Sequence, residues 1–443
     1  MITSTYLLKQ RRFLPLFATQ LFNAFNDNLY KNAMVLFVVY NVYNSPDTEG
    51  KFSAIASAVF IIPFFLLSAF AGQLADMRDK AMIIRRVKLA EIFIMMLGAV
   101  GLAMAWMDML TESMAIPLML LALFAMGIHS TFFGPIKYAI LPQHLKREEV
   151  LSGTGLVEAG TYVAILAGTI LAGFVEVEIA AALVIIVAVA GYFTSLSVPP
   201  APPLEKDTPI DYNVVRASVA LVKNTMKMRE VFLAILAISF FWAIGTVLFV
   251  QFTPLVKNYL MASKEVASLF LVIFSVGVAL GSVAINALLK GEVSARYSPV
   301  SVVVMGVFVG AFYFVCRAWG DSIGPAPAEL LNVTAFVTQP LAPVVLFTLL
   351  MIAVSGGMFV VPLYAFLTTK CHPSQAARTV AANNIVNSGA MVFGSMVAGG
   401  LSAMGVRIVE QLLLSAIMCV VAAWLGWMLY KAETPGSHPA AAE

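Results

Sequence analysis

The segment Gly72-Gln-Leu-Ala-Asp-Met-Arg-Asp-Lys80 separates two long apolar stretches, which cover residues 52–75 and 82–107. A stretch of about 20 apolar residues is long enough to cross a bilayer as a helix. The segment itself is short and carries two acidic and two basic side chains, which is typical of a loop outside the lipid. It therefore predicts a turn between two membrane spans.

The same alternation of apolar stretches and charged loops continues along the whole chain. Hydrophobic residues make up 60% of the sequence, charged residues 12%, and the mean hydropathy is +0.90. These values exclude an ordinary soluble domain. The first stretch is too long for a signal peptide and has no small-residue cleavage site, so we expect it to be retained. The pattern predicts an all-α membrane protein with twelve spans, near 13–42, 52–75, 82–107, 114–141, 150–174, 177–198, 231–256, 265–289, 298–319, 341–368, 377–404 and 408–430.

The distribution of basic residues predicts the orientation in the membrane. With the N-terminus placed in the cytoplasm, twenty of the 27 lysines and arginines fall in cytoplasmic segments and five in outer segments. Cytoplasmic loops of membrane proteins carry such an excess. We therefore expect both termini in the cytoplasm, and the net charge of +3 reflects topology rather than nucleic-acid binding. The three cysteines are scattered, so no disulfide framework, metal site or cofactor is predicted.

A polar stretch over 199–230 divides the predicted spans into six and six. It opens with four prolines, and Asp207-Thr208-Pro209 follows, which stops any helix. Residues 211–229 then place valines opposite basic side chains, a pattern typical of an interfacial amphipathic helix. The sequence thus predicts a six-helix bundle over 1–198, a cytoplasmic linker over 199–230, and a second six-helix bundle with a short tail over 231–443.

A weak internal repeat relates the two predicted bundles. Glycines that permit close helix contact are part of it. Transporters built from two six-helix repeats bind substrate near the membrane midplane where the repeats meet, so we expect a site there. The repeated positions are Tyr138-Ala139, Gly168 and Ala172-Gly173, which recur 226 residues later as Tyr364-Ala365, Gly394 and Ala398-Gly399.

Asp27 lies in the first span, within Phe25-Asn-Asp-Asn-Leu-Tyr-Lys31. A carboxylate at membrane depth costs roughly 2.5–3.5 kcal/mol, so it usually marks a water-filled path or a bound substrate. Asn23, Asp27 and Lys31 recur every four residues and form one polar stripe, with Asn26 beside it. The alternative is an ion pair between Asp27 and Lys31 that neutralises both groups locally.

Other polar residues within the predicted spans form a second set of candidates. Under the repeat, Glu158 aligns with Asn384, which places polar clusters at equivalent depth in the two halves. Two alternatives stay open: Lys137 reaches the headgroups as a snorkelling lysine, and the asparagines only join helices. Glu91 is interpreted as structural because Lys88 is near it. The candidate substrate-binding residues outside the first span are Lys137, Tyr138, Glu158, Asn383, Asn384 and Asn387.

The segment Gly72–Lys80 resembles the cytoplasmic signature loop of the major facilitator superfamily. The resemblance implies that its aspartate and basic residues form a gating ion network between helices. Asp79 stands where that family often has glycine, so a tight turn is less expected there. The gating candidates are Gly72, Asp76, Arg78 and Lys80.

Five further stretches carry a more specific resemblance. They are Phe25-Asn-Asp-Asn28, Gly134-Pro-Ile-Lys-Tyr138, Gly155-Leu-Val-Glu-Ala159, Phe241-Trp242 and Gly356-Gly-Met-Phe-Val-Val-Pro-Leu363. In this order they resemble the bacterial lysophospholipid transporters, and also the transporter half of proteins fused to an acylglycerophosphoethanolamine acyltransferase. The resemblance covers nearly the whole chain. It departs in the seventh span, where the family can carry an arginine and this sequence has Phe249 or a neighbouring apolar residue.

This resemblance implies a flippase that moves lysophosphatidylethanolamine and lysophosphatidylglycerol from the outer to the inner leaflet of the bacterial inner membrane by alternating access. A membrane-associated acyltransferase would then restore the second acyl chain. The resemblance also implies that Asp27 and Lys137 contribute to the polar cavity. The chemistry fits the substrate, because Lys137 can pair with a phosphate and Asp27 or Glu158 with an amine. We expect a monomer.

Two other classes of protein compete with the lipid transporter. A proton-coupled drug or metabolite antiporter of the same fold would use Asp27 as its proton site, and its transport would depend steeply on pH. An acyltransferase would need a histidine and an aspartate separated by four residues for general-base activation of a hydroxyl. No histidine of the chain has an aspartate five positions after it, so we expect no enzyme activity.

Overall fold

The computed structural model describes residues 4–42, 46–204, 210–322 and 330–433. Within these residues the backbone is helical apart from turns and one isolated bridge between Ala262 and Leu331, which confirms the predicted all-α fold. Twelve of the helices are 20 to 32 residues long. They are α1 (Leu14–Phe37), α2 (Pro46–Met77), α3 (Lys80–Trp106), α4 (Ile116–Ala139), α5 (Val150–Phe174), α6 (Val177–Leu196), α7 (Arg229–Asn258), α8 (Lys264–Leu289), α9 (Ser298–Ser322), α10 (Ala342–Thr369), α11 (Ala376–Ala403) and α12 (Ile408–Glu433).

Ten of these twelve helices are long and apolar enough to cross a membrane. The other two are α1 and α11, which carry many of the polar residues that the sequence singles out as a candidate site. A helix that keeps asparagine, aspartate or lysine at membrane depth has to direct them to a protein interior or a wet cavity. With 24 and 28 residues, α1 and α11 are long enough for a bilayer, and the count of twelve spans stays a prediction for these two.

The first of two compact units in the chain consists of Met1–Thr225 with Thr368–Ile385. In it α1 packs against α5 and α6, α2 against α4, and α3 against α4 and α6. Glycine permits the close approach of α5 to α1, because a Cβ at Gly168 would lie 2.4 Å from the carbonyl oxygen of Phe25. The start of α11 groups with α1–α6, and the division of the chain into bundles at the linker stays a prediction.

The second unit consists of Met226–Leu367 with Val386–Glu443. Here α7 packs against α8 and α12, and α9 packs against α12. A Cβ at Gly394 of α11 would lie 3.4 Å from the carbonyl oxygen of Ala243 in α7. Gly168 and Gly394 are equivalent in the predicted repeat, and each lies against the first long helix of its own half.

The linker contains a helix at Val214–Thr225, shorter than the predicted 211–229. It starts there because the side chain of Asn213 accepts a hydrogen bond from the backbone amide of Arg216 at 3.0 Å, an arrangement that satisfies a donor at the helix N-terminus. Outside the spans, the same Arg216 donates to Asp211 and lowers the pKa of that carboxyl to about 2. Asp207-Thr208-Pro209 lies outside the described residues.

Candidate functional site

Asp27 of α1 is buried, with 9% of its surface exposed. Ser130 of α4 donates a hydrogen bond to Asp27 Oδ2 at 2.6 Å, and Asn23, one turn earlier on α1, donates to the same oxygen at 3.2 Å. The other carboxylate oxygen, Oδ1, has no hydrogen-bond partner in the described part of the chain. Two neutral donors do not neutralise a buried carboxylate, so this oxygen is available to a cationic group.

Lys31 does not supply that cation. Its ammonium lies 5.9 Å from the centroid of the Phe60 ring of α2, and no ion pair between Lys31 and Asp27 occurs among the described residues. The alternative reading, in which the two residues neutralise each other one helical turn apart, therefore does not describe this structure. The stripe of Asn23, Asp27 and Lys31 consists of one hydrogen-bonded pair and a separate lysine.

A second buried cluster lies beside Asp27, on α1, α3 and α4. Glu91 of α3 is completely buried and forms an ion pair with Lys88. Asn26 of α1 donates to Glu91 Oε1 at 2.8 Å, and Nε2 of His129 lies 3.3 Å from Glu91 Oε2. Asn26 thus contacts Glu91 rather than joining the stripe on α1. This charged cluster lies between α1, α3 and α4, and α6 covers it at Lys88.

The nearness of Lys88 to Glu91 is visible in the sequence, whereas His129 is not among the candidates predicted from it. One sequence signal does point to His129: an ionisable side chain inside a predicted span is by default a candidate functional residue. Applied to His129, this rule adds the histidine to the candidate residues, but it does not show that the histidine lies near Asp27.

A third group of polar side chains joins α4 to α5. The Tyr138 hydroxyl donates a hydrogen bond to Glu158, a carboxylate with only 2% of its surface exposed. The ammonium of Lys137 lies 4.9 Å from the centroid of the Tyr138 ring. Lys137 is half-buried in the last turn of α4, two residues after Pro135. The predicted residues Lys137, Tyr138 and Glu158 are thus brought together.

Two of the three predicted asparagines of α11 belong to the first unit. Asn383 is completely buried, and neither its Oδ1 nor its Nδ2 has a hydrogen-bond partner within the described residues. Asn384 lies beside α4, where its Nδ2 would be 3.5 Å from a Cβ added to Gly134. Both amides therefore lie in the unit that contains Asp27.

Asn387 lies in the second unit, among its own partners. Ser239 of α7 donates a hydrogen bond to Asn387 Oδ1 at 2.7 Å. Asn387 Nδ2 donates to the Tyr364 hydroxyl at 3.5 Å, and the indole nitrogen of Trp242 donates to the same hydroxyl at 2.8 Å. Tyr364 is the repeat equivalent of Tyr138, so in each half this tyrosine contacts a polar residue of the next long helix.

The gating candidates divide into two groups. Asp76, near the end of α2, accepts hydrogen bonds from the backbone amides of Ala377 and Arg378 at 3.0 Å each, and Arg378 Nε lies 3.8 Å from the carboxylate. Gly72 lies one turn earlier on α2, where a Cβ would be 2.6 Å from the Cβ of Ala381. Both residues hold α2 against the first turns of α11.

The other two gating candidates have a different environment. Arg78 is exposed and Lys80 is buried, and no ion pair of either occurs in the part of the chain that the structure describes. The ion pair of Asp76 is thus with Arg378, while Lys80 interacts with Asp76 through its charge without forming an ion pair within the described residues. Asp79, where the family often has glycine, has extended backbone with φ −60°, and its side chain accepts from Ala81 N at 2.8 Å. It caps α3, so no glycine is needed there.

Residues 16–388 match the Major Facilitator Superfamily, which is well over half of the chain. The chain belongs to the major facilitator superfamily. Together with ten apolar helices of sufficient length, this membership makes it a multi-pass membrane protein.

Named relatives of this major facilitator chain are transporters. The lysophospholipid transporter LplT of Serratia proteamaculans is 25% identical over 397 residues, which cover 87% of this chain and 87% of that protein. The lysophospholipid transporter LplT of Photorhabdus laumondii is 24% identical over 364 residues, which cover 79% of this chain and 78% of that protein. The resemblance to this group is confirmed, and a link to an acyltransferase stays a prediction.

Solved structures show the same fold. The crystal structure of a bacterial homologue of the iron transporter ferroportin matches this major facilitator chain with a TM-score of 0.69 at 13% identity, and the match covers 95% of this chain and 99% of that one. At such low identity the likeness shows the fold alone.

Proposed function

We propose that this chain is a lysophospholipid flippase of the bacterial inner membrane. It moves lysophosphatidylethanolamine and lysophosphatidylglycerol from the outer to the inner leaflet by alternating access. Support comes from the relatives that are named lysophospholipid transporters along most of its length. The product is a lipid that lacks one acyl chain, so a membrane-associated acyltransferase is the partner activity that would consume it.

One observation carries the proposal: the buried carboxylate of Asp27 keeps one oxygen without a hydrogen-bond partner in the described residues. A buried charge in this setting needs a counter-ion. The ammonium of an ethanolamine headgroup meets that need, because it is a compact cation with three donors. Asp27 is therefore assigned to the amine, and Asn23, one turn earlier on α1, donates a hydrogen bond to its other oxygen.

The phosphate is assigned to Lys137. Its ammonium lies over the Tyr138 ring and beside the carboxylate that accepts from Tyr138, so its contacts among the described residues leave it able to meet an anion. Lysophosphatidylethanolamine and lysophosphatidylglycerol share this phosphate, whereas only the first has an amine. The two assignments therefore predict different headgroup dependence.

Uptake of the two radiolabelled lysolipids by spheroplasts tests these assignments. Asp27→Asn should lower lysophosphatidylethanolamine uptake at least about 30-fold, because it removes one partner of a buried charge pair, and should affect lysophosphatidylglycerol uptake much less. Lys137→Met should lower both. Asp108→Asn, in an exposed turn, and Lys223→Gln, on the exposed face of the linker helix, are the matched controls.

Three results would contradict the proposal in different ways. No uptake of either lysolipid by the wild-type chain would remove the function. Equal loss of both lysolipids in Asp27→Asn would remove the role of Asp27 in amine binding. Collapse of uptake when a protonophore abolishes the proton gradient would favour the proton-coupled antiporter instead.

A further inference from the structure

A continuous line of buried polar contacts leads from Asp27 through α4 to the ion pair on α3. Ser130 Oγ lies 2.6 Å from Asp27 Oδ2 and 3.4 Å from Nδ1 of His129. On the other side of the imidazole ring, Nε2 lies 3.3 Å from Glu91 Oε2, which is also paired with Lys88. Four ionisable side chains and one hydroxyl thus form a single chain of contacts.

This line of polar contacts is closed to solvent at the end away from Asp27. His129 is 4% exposed, and Lys88 and Glu91 are 0% exposed. Helix α6 covers Lys88, since a Cβ at Gly191 would lie 2.9 Å from its Nζ. The other ionisable groups of neighbouring helices make their direct contacts elsewhere: Lys31 over Phe60, Asp76 at the start of α11, Lys137 over Tyr138, and Glu158 with Tyr138. Lys31 and Lys137 also interact with the charge of Asp27, but neither forms an ion pair with it among the described residues.

The number of protons along this line of contacts follows from counting hydrogen-bond donors. Glu91 is paired with a lysine and is therefore anionic, so His129 Nε2 beside it carries a proton. Ser130 has a single hydroxyl proton, and it is given to Asp27. Nothing is then left for His129 Nδ1 to accept, so Nδ1 must donate to Ser130 Oγ, which makes His129 an imidazolium when Asp27 is ionised.

A second arrangement of the protons keeps the same contacts between Asp27, Ser130 and His129. If Asp27 carries a proton on Oδ2, it donates to Ser130 Oγ, and Ser130 donates to the neutral Nδ1 of His129. The two arrangements contain the same protons and have the same net charge. One passes into the other when His129 Nδ1–H gives its proton to Ser130 Oγ while the Ser130 hydroxyl gives its own proton to Asp27 Oδ2. No proton enters from solution.

We propose that His129 stores the proton that neutralises Asp27 whenever no cationic headgroup is bound. The inference rests on the proposed binding of an amine by Asp27. While substrate is bound, its ammonium pairs with ionised Asp27 and the proton stays on His129. When the substrate leaves, the proton returns through Ser130, and the carrier reorients without an unpaired carboxylate in its interior. The cycle therefore needs neither a proton gradient nor a coupling ion for this step.

The test compares two modes of transport in proteoliposomes that contain the purified full-length chain. Net uptake of lysophosphatidylethanolamine requires the empty carrier to return, whereas exchange against lysophosphatidylethanolamine inside the vesicle does not. In His129→Gln and in Ser130→Ala, exchange should stay within about twofold of wild type. Net uptake should fall about 100-fold, the factor that roughly 3 kcal/mol for an unpaired charge at membrane depth produces.

Lowering the pH by about two units should partly restore net uptake in both variants, because a proton from solution can then neutralise Asp27. Exchange should not rise with it. Thr131→Val is the control, since it removes a buried hydroxyl whose hydrogen bond, within the described part of the chain, goes to Gly127 O of its own helix. Both modes should stay at the wild-type level in this variant.

The inference would be overturned if net uptake and exchange fell together in Ser130→Ala, or if neither changed. Ser130→Ala is a small substitution that keeps His129 and its charged neighbours, so it still tests the inference if His129→Gln does not fold. Failure of the proposed function looks different: wild type would then show neither net uptake nor exchange of lysophosphatidylethanolamine.

Discussion

The carboxylate of Asp76 accepts a hydrogen bond from the backbone amide of Arg378 at 3.0 Å, which ties the end of α2 to the first turn of α11. The amide of Ala377 donates to the other oxygen of Asp76 at the same distance. Backbone amides at the start of a helix lack partners in their own helix and carry partial positive charge. Asp76 thus caps α11 from a different helix, and we expect this contact to be part of a gate.

Replacement of Asp76 by alanine should loosen the first turn of α11. The loss of an N-terminal cap costs about 0.5–2 kcal/mol. Cys371 lies just before this turn and is buried, and burial raises the pKa of its thiol to about 11. At pH 8 only about one thiol in a thousand is then the reactive thiolate. When this turn of α11 opens, the pKa of the Cys371 thiol should return toward about 8.5. The thiolate fraction of the open molecules should then rise more than 100-fold.

Maleimide labelling of Cys371 measures this opening, in a background with Cys316 and Cys419 replaced by alanine. Labelling should be faster in Asp76→Ala than in the parent and should rise with pH in both. Glu148→Gln removes an exposed carboxylate from the segment between α4 and α5 and is the control. An unchanged labelling rate in Asp76→Ala would show that the cap does not hold the start of α11.

A substitution at Gly72 tests the same contact between α2 and α11 by steric hindrance, without a change of charge. A Cβ at Gly72 would lie 2.6 Å from the Cβ of Ala381, a distance that forces α2 and α11 apart. Gly72→Ala should therefore speed the labelling of Cys371 although it removes no charge. A Cβ at Gly389, also on α11, would meet nothing within 4 Å, so Gly389→Ala should leave the rate unchanged. Equal effects of the two substitutions would rule out a role for the close approach at Gly72.

The helices of this chain were largely predictable because hydropathy is a property of contiguous sequence. The predicted span 150–174 coincides with α5, for example, and 265–289 differs from α8 by one residue. The cap at Asp79 was also within reach, since aspartate directly before a helix is a strong N-terminal signal.

The candidate site was predictable only in part, because its contacts join helices that are distant in sequence. The sequence put Asp27 and Lys31 on one face of a helix, but it could not show that Ser130, 103 residues away, reaches Asp27. His129 lay outside the predicted site for the same reason. The sequence names Tyr138 and Glu158 as separate candidates, and only the structure pairs them.

Tyr138 and Glu158 should be strongly coupled in stability. Tyr138→Phe leaves a buried carboxylate without a phenol donor, and a hydrogen bond to a charged group is worth about 1.5–3 kcal/mol. The loss should shrink when Glu158 is already Gln, because the partner is then neutral. A double-mutant cycle on thermal unfolding in detergent measures this coupling. Additive effects of the two substitutions would show that the hydrogen bond contributes nothing.

Replacement of Asn383 by an apolar residue should stabilise the protein and slow transport. Its side chain is completely buried, and both of its polar atoms lack partners in the described part of the structure. A buried amide without hydrogen bonds costs about 1–3 kcal/mol, so Asn383→Leu should raise the unfolding temperature. Such a cost is retained in a transporter when the amide binds substrate or changes partners during the cycle, and lysophosphatidylethanolamine uptake should therefore fall.

Asn387→Leu is the matched comparison, because Asn387 accepts from Ser239 at 2.7 Å and its loss should lower the unfolding temperature. If Asn383→Leu lowered the unfolding temperature as well, the amide would be a structural element of α11 rather than part of the site.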